Sequence, residues 1–114
     1  MSRVRILSAA VAATGFVMLT ASAAVAADAA SGEEAFTNIG CWTCHGTVGQ
    51  GGRGPAIGPN PMPLAAFVAY VRMPPLGMPP FRAAILSGVE LEDIHAYLES
   101  IPQPRDVEST ILAE

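Results

Sequence analysis

Two thiols and an imidazole stand within five residues at Cys41-Trp42-Thr43-Cys44-His45. The spacing sets the thiols one helical turn apart, and the imidazole follows the second directly. Each thiol can add to one vinyl group of a haem while the adjacent histidine is delivered to the iron. This is the C-x-x-C-H pattern of covalent haem attachment. These are the only two cysteines in the chain, so no other thiol competes for them. A Cys41–Cys44 disulfide would close a tiny loop and tie nothing distant together, although paired cysteines of exported chains are normally disulfides. Zinc would need four ligands, and only His45 and His95 are left to join the thiols. A thioredoxin-like use of the pair needs a βαβ setting, and no run alternates with period two for long enough to be a strand.

The elements that must hold this group are helical. Ser31-Gly32-Glu33-Glu34 reads as a capping box in which Ser31 caps and Glu34 reaches back. Ala35, Phe36 and Ile39 then share one face, and Gly40 ends the helix just before the cysteines. A second helix is expected over Leu64 to Arg72, with Pro63 at its start and a stripe of Leu64, Phe67, Val68 and Val71. Pro74 stops it and pushes Met73 out of the helical region. A third begins at the capping box Ser87-Gly88-Val89-Glu90, with Leu86 and Leu91 at the staple positions. Leu91, Ile94, Leu98 and Ile101 form its apolar stripe, and Pro102 closes it. Phe81 to Leu86 is read as a short turn before it. Eight of the ten prolines fall between Pro55 and Pro80, so that stretch should run extended and stiff, wrapping something. The expected fold class is all-α, three to four helices around one bound haem. Gly49 to Gly54 is glycine-rich but neither follows a strand nor opens a helix, so a nucleotide reading fails.

Residues 1–26 read as a cleaved signal peptide. Arg3 and Arg5 precede a run without charge up to Asp28, and Ala24-Val25-Ala26 supplies a small-x-small cleavage pattern. The alternative is an uncleaved membrane anchor, since the run is long enough to span; a membrane association is expected only in that case. The domain is expected over 27–104 and a polar tail over 105–114, with the product in the periplasm. Residues 27–114 carry four Arg, no Lys and ten Asp plus Glu, a net charge of −6. That surface argues against nucleic acid and anionic lipid and permits a basic protein partner. A chain of this size buries a small core and relies on a staple, which a covalent haem would supply.

An electron-carrying iron wants a second strong ligand besides His45, and thioether sulfur raises the potential by favouring the ferrous state. Met62, Met73 and Met78 are the candidates, each also able to serve as core filler. Here Met78-Pro79-Pro80-Phe81, followed by Ile85-Leu86-Ser87 and by Glu90 to Leu98, resembles the ending of class I c-type cytochromes. The resemblance runs from the Gly32/Phe36 helix through Leu98. It implies a small cytochrome c fold with one haem c on Cys41 and Cys44, and with His45 and Met78 as the axial iron ligands. Met73, which also precedes a proline, stays as the alternative sulfur. The other ring nitrogen of His45 needs an acceptor, and the resemblance assigns the Pro55 carbonyl of Gly54-Pro55. It further implies that Gly32 and Phe36 meet Tyr97 and Leu98 where the first and last helices cross. His95 is read as solvated or surface-packed, and Trp42 as packing beside the haem edge. Arg53, Arg72 and Arg82 are the cations near the expected site; each is either solvated or a partner for a haem propionate.

The function implied is a periplasmic single-haem electron carrier and not an enzyme. Phe67 to Pro74 and the Met-Pro loop after it are reminiscent of cytochrome subunits or dedicated acceptors of periplasmic flavin or molybdenum dehydrogenases; a downstream cytochrome or oxidase is the other partner expected. The lack of Lys departs from cytochromes that dock through a lysine ring. The alternative is a haem sensor or haem enzyme with an open iron position.

Overall fold

The computed structural model describes residues 25–104. Residues 1–24 of the expected signal segment and the expected tail over 105–114 lie outside the described residues. Four helices follow in order: α1 (Ala29–Ile39), α2 (Trp42–His45), α3 (Leu64–Arg72) and α4 (Gly88–Ser100). Among the described residues there is no strand, so the fold is all-α. No helix among them is long and apolar enough to cross a membrane.

The first helix opens earlier than the capping box at Ser31 suggests. Asp28 is the cap: its carboxylate accepts the Ala30 N–H at 2.9 Å and the Ser31 hydroxyl at 3.2 Å. A carboxylate caps as well as a hydroxyl and adds a favourable charge at the positive end of the helix. Ser31 is thereby drawn into the first turn. At the far end Gly40 sits in the left-handed region at φ 86°, and Cys41 N–H bonds back to the Phe36 carbonyl at 3.1 Å. The chain thus passes from α1 into the cysteine pair with no intervening loop.

The remaining boundaries follow the prolines and caps. Pro63 is the residue before α3, and Met73 leaves the helix at φ −141°. In α4 the Ser87 N–H donates to the Glu90 carboxylate at 2.7 Å while the Glu90 N–H donates to the Ser87 hydroxyl at 3.1 Å. That reciprocal box satisfies two donors the helix itself cannot. The Ser87 side chain, and after it the Ser87 backbone N–H, hold the Glu90 carboxyl below its ordinary value. Leu86 and Leu91, the staple residues, are both buried.

The principal interface is α1 against α4, with α3 packed more lightly on α4. Gly32 makes the crossing possible, because a Cβ there would run into the Asp93 carbonyl. Phe36, fully buried, meets Tyr97 with ring centroids 5.5 Å apart, and the Asp28 N–H donates to the Asp93 carboxylate at 2.7 Å. Phe67 and Val71 bring α3 into the same core. Among the described residues eight apolar side chains are buried. Each contributes about 1.5–3 kcal/mol, a small total for a domain of this length. By contrast Met73, Leu76 and Ile85 are 83%, 79% and 66% exposed.

Candidate haem-binding site

Cys41 stands at the cap of α2, and Cys44 and His45 form its last two residues. Both cysteines are free thiols, Cys41 half-buried and Cys44 exposed. Burial pushes the Cys41 thiol above its ordinary value, so at neutral pH it is held protonated. The Thr43 hydroxyl donates to the Gly40 carbonyl at 2.7 Å and fixes the turn between α1 and α2. Trp42 is exposed between the two thiols.

The structure puts His45 Nδ1 2.8 Å from the Pro55 carbonyl oxygen. A carbonyl can only accept, so Nδ1 must carry the proton. In the neutral ring Nε2 then keeps its lone pair, and it bonds to none of the described residues. Gly54 lies against the same ring: a Cβ on it would come within 3.0 Å of Cε1 and 3.1 Å of Nδ1. Backbone donors of this loop also reach the end of α2. Gly54 N–H donates to the Cys44 carbonyl at 2.8 Å and Gly51 N–H to the His45 carbonyl at 2.7 Å. These carbonyls have no partner within so short a helix. The glycine run is therefore a backbone clamp around the thiol–imidazole turn, which sequence reasoning missed. Its signal was there, in a dense glycine cluster that starts immediately after His45.

Of the three methionines, Met78 is half-buried and packs against the core, whereas Met73 is almost fully exposed. Met62 is exposed, and its carbonyl is occupied by His95 Nε2 at 2.9 Å. His95, expected to be solvated or surface-packed, is instead buried. It is 7% exposed, sits edge-on to Phe67 at 5.5 Å, and faces the Glu99 carboxylate across 3.6 Å. It pins the segment before α3 to α4. Among the described residues no three His, Cys, Asp or Glu side chains come together as a metal site, so a zinc use of the thiols finds no partners there.

Arg53 and Arg82 are exposed. Arg72 is not the solvated cation of one reading: it is half-buried and donates to the Phe81 and Leu86 carbonyls at 2.8 and 2.7 Å. Its partners are backbone oxygens, which no side-chain pattern announces.

This donor set fits a covalently held haem. Two free thiols share one helical turn, and the imidazole beside them has its proton fixed on the nitrogen away from the one that would bind iron. A family model described as Cytochrome C oxidase, cbb3-type, subunit III matches residues 27–98, more than half of the chain. No curated protein and no solved structure matches it.

Proposed function

The chain belongs to the cytochrome c family that this model describes, and from that premise we propose a periplasmic carrier with one haem that moves one electron at a time. A cytochrome c domain transfers electrons through covalently bound haem. The haem supplies the iron that alternates between ferric and ferrous states, and no substrate bond is made or broken. Cys41 and Cys44 would hold it through thioethers, and His45 Nε2 and Met78 sulfur would bind the iron. The Pro55 carbonyl orients the imidazole by holding the Nδ1 proton. The loop of Gly51 to Gly54 keeps the imidazole and its carbonyl partner together.

One observation carries this reading: the His45–Pro55 hydrogen bond, made inside a turn whose two thiols are free. The partners proposed are a dehydrogenase upstream and an oxidase or second cytochrome downstream, the latter in keeping with the oxidase subunit in the family's description. The acidic, lysine-free surface suits partners with basic docking faces.

The test is an optical spectrum of the protein exported from a host that attaches haem c. Sharp reduced c-type bands with a weak far-red sulfur-to-iron band in the oxidised form support His/Met ligation. Haem bands without the far-red feature, together with carbon monoxide binding to the reduced protein, would move the reading to an open-iron sensor or enzyme. A chain that takes up no covalent haem overturns it.

A further inference from the structure

The segment from Met73 to Leu86 leaves the end of α3 and comes back to it, and one side chain holds the return. Arg72, the last residue of α3, donates from Nη1 to both the Phe81 carbonyl and the Leu86 carbonyl. The Phe81 N–H donates to the Val71 carbonyl at 3.1 Å, so Phe81 is tied to α3 through both of its backbone groups. Leu86 is buried and stands directly before Ser87, the cap of α4. Arg72 forms no ion pair among the described residues, so its hydrogen bonds to carbonyls are what hold the guanidinium in place. Hydrogen bonds from a charged donor are roughly twice as strong as neutral ones.

Met78 precedes Phe81 by three residues, and the two between are Pro79 and Pro80. Proline fixes φ near −65°, so this link is stiff and the position imposed on Phe81 passes along it to Met78. On the other side of Met78 the one backbone bond is local, from the Met78 N–H to the Leu76 carbonyl, and none among the described residues ties Leu76 or Gly77 to the rest of the fold. Restraint therefore reaches Met78 from the Phe81 side, where Arg72 acts.

We infer that Arg72 is the positioning residue for the Met78 sulfur, setting how firmly that sulfur stays on the iron through its grip on the Phe81 and Leu86 carbonyls. This rests on the reading of Met78 as the second iron ligand. Without the guanidinium the returning segment keeps one backbone bond at Phe81, and the sulfur leaves more readily.

The experiment compares haem-loaded wild-type protein with Arg72→Gln, Arg72→Lys, Met78→Ala and Phe36→Leu, the last a core change remote from the loop. Three quantities are read: the far-red sulfur-to-iron band, carbon monoxide affinity of the reduced form, and hydrogen exchange at the Phe81 amide. For Arg72→Gln the band should weaken, carbon monoxide affinity should rise ~10-fold, about 1.4 kcal/mol, and Phe81 exchange should accelerate. Arg72→Lys, whose ammonium has three donors, should recover part of all three. Phe36→Leu should lower the melting temperature and leave the band and the carbon monoxide affinity unchanged. If Arg72→Gln moves only the melting temperature, as Phe36→Leu does, while Met78→Ala abolishes the band, the inference about Arg72 is wrong and the ligand assignment stands. If Met78→Ala keeps the band, the ligand assignment fails and takes the inference with it.

Discussion

Which nitrogen of His45 carries the proton decides what the other can bind, and here a backbone carbonyl makes that choice. The Pro55 oxygen cannot donate, so Nδ1 is the donor and Nε2 is left with its lone pair. Gly54→Ala should disturb this arrangement, because the new methyl meets the ring at 3.0–3.1 Å. We expect a loss of about 1–3 kcal/mol in denaturant unfolding of the haem-loaded protein, with an altered imidazole environment by NMR. Met78→Ala should remove the far-red band and lower the reduction potential by roughly 0.1 V or more, part of the ~0.8 V that axial ligands command. Met73→Ala, at an exposed position, should do neither; potentiometry of the two variants decides between the sulfurs. At this scale the Cys41–His45 run was legible because it is contiguous in sequence, whereas the Pro55 carbonyl came only through the resemblance to class I c-type cytochromes. His95 and Arg72 were not legible, since both bond to carbonyls of residues far along the chain, and every residue type has a carbonyl.

At the scale of elements, the prolines and the reciprocal cap made α3 and α4 readable to within a residue, while α1 was misplaced at its start. Two capping residues competed there, Asp28 and Ser31, and local pattern alone could not rank a carboxylate that also hydrogen-bonds the competing serine. Ser87→Ala should cost about 1 kcal/mol of stability. The Glu90 carboxyl is held below its ordinary value of 4.5, so its contribution is present above that pH and is lost as pH falls through the lower folded value. Accordingly, the melting-temperature gap between wild type and Glu90→Gln should be constant from pH 7 to about pH 5 and close on acidification below it. A gap unaltered at pH 3 would contradict this. Gly32→Ala should be far more damaging, about 3 kcal/mol or more, because the obstacle is the backbone of α4 and cannot rotate aside. Thermal unfolding of the two variants side by side checks the ranking.

For the molecule as a whole, the balance of charge and the thinness of the core are the governing facts. With four Arg against ten carboxylates in residues 27–114, a cationic oxidant should react faster at low ionic strength and slow as salt is added. An anionic oxidant should show the opposite trend. Stopped-flow traces at two salt concentrations check both. Eight buried apolar side chains among the described residues make a small core, so replacing Cys41 and Cys44 together by Ala, which would remove the proposed attachment, should lose cooperative unfolding; circular dichroism against temperature reads this directly. Such a requirement was legible from chain length, but which apolar residues would stay exposed was not. Met73, Leu76 and Ile85 look like core residues by type, and the path of the chain keeps them out of the cluster that α1, α3 and α4 form.

The partnership of α1 with α4 joins the two ends of the domain, residues 28 and 93 among them. A ribosome delivers residues in order at ~5–20 per second. The turn from Cys41 to His45 is therefore made ~3–10 s before Leu98 exists. Throughout that interval Phe36 has no Tyr97 to meet, and non-local contacts of this kind form late in any case. The Cys41 to His45 turn is thus carried on a chain that cannot close by its α1–α4 contact until the last helix has followed it, so closure of the domain waits on its far end.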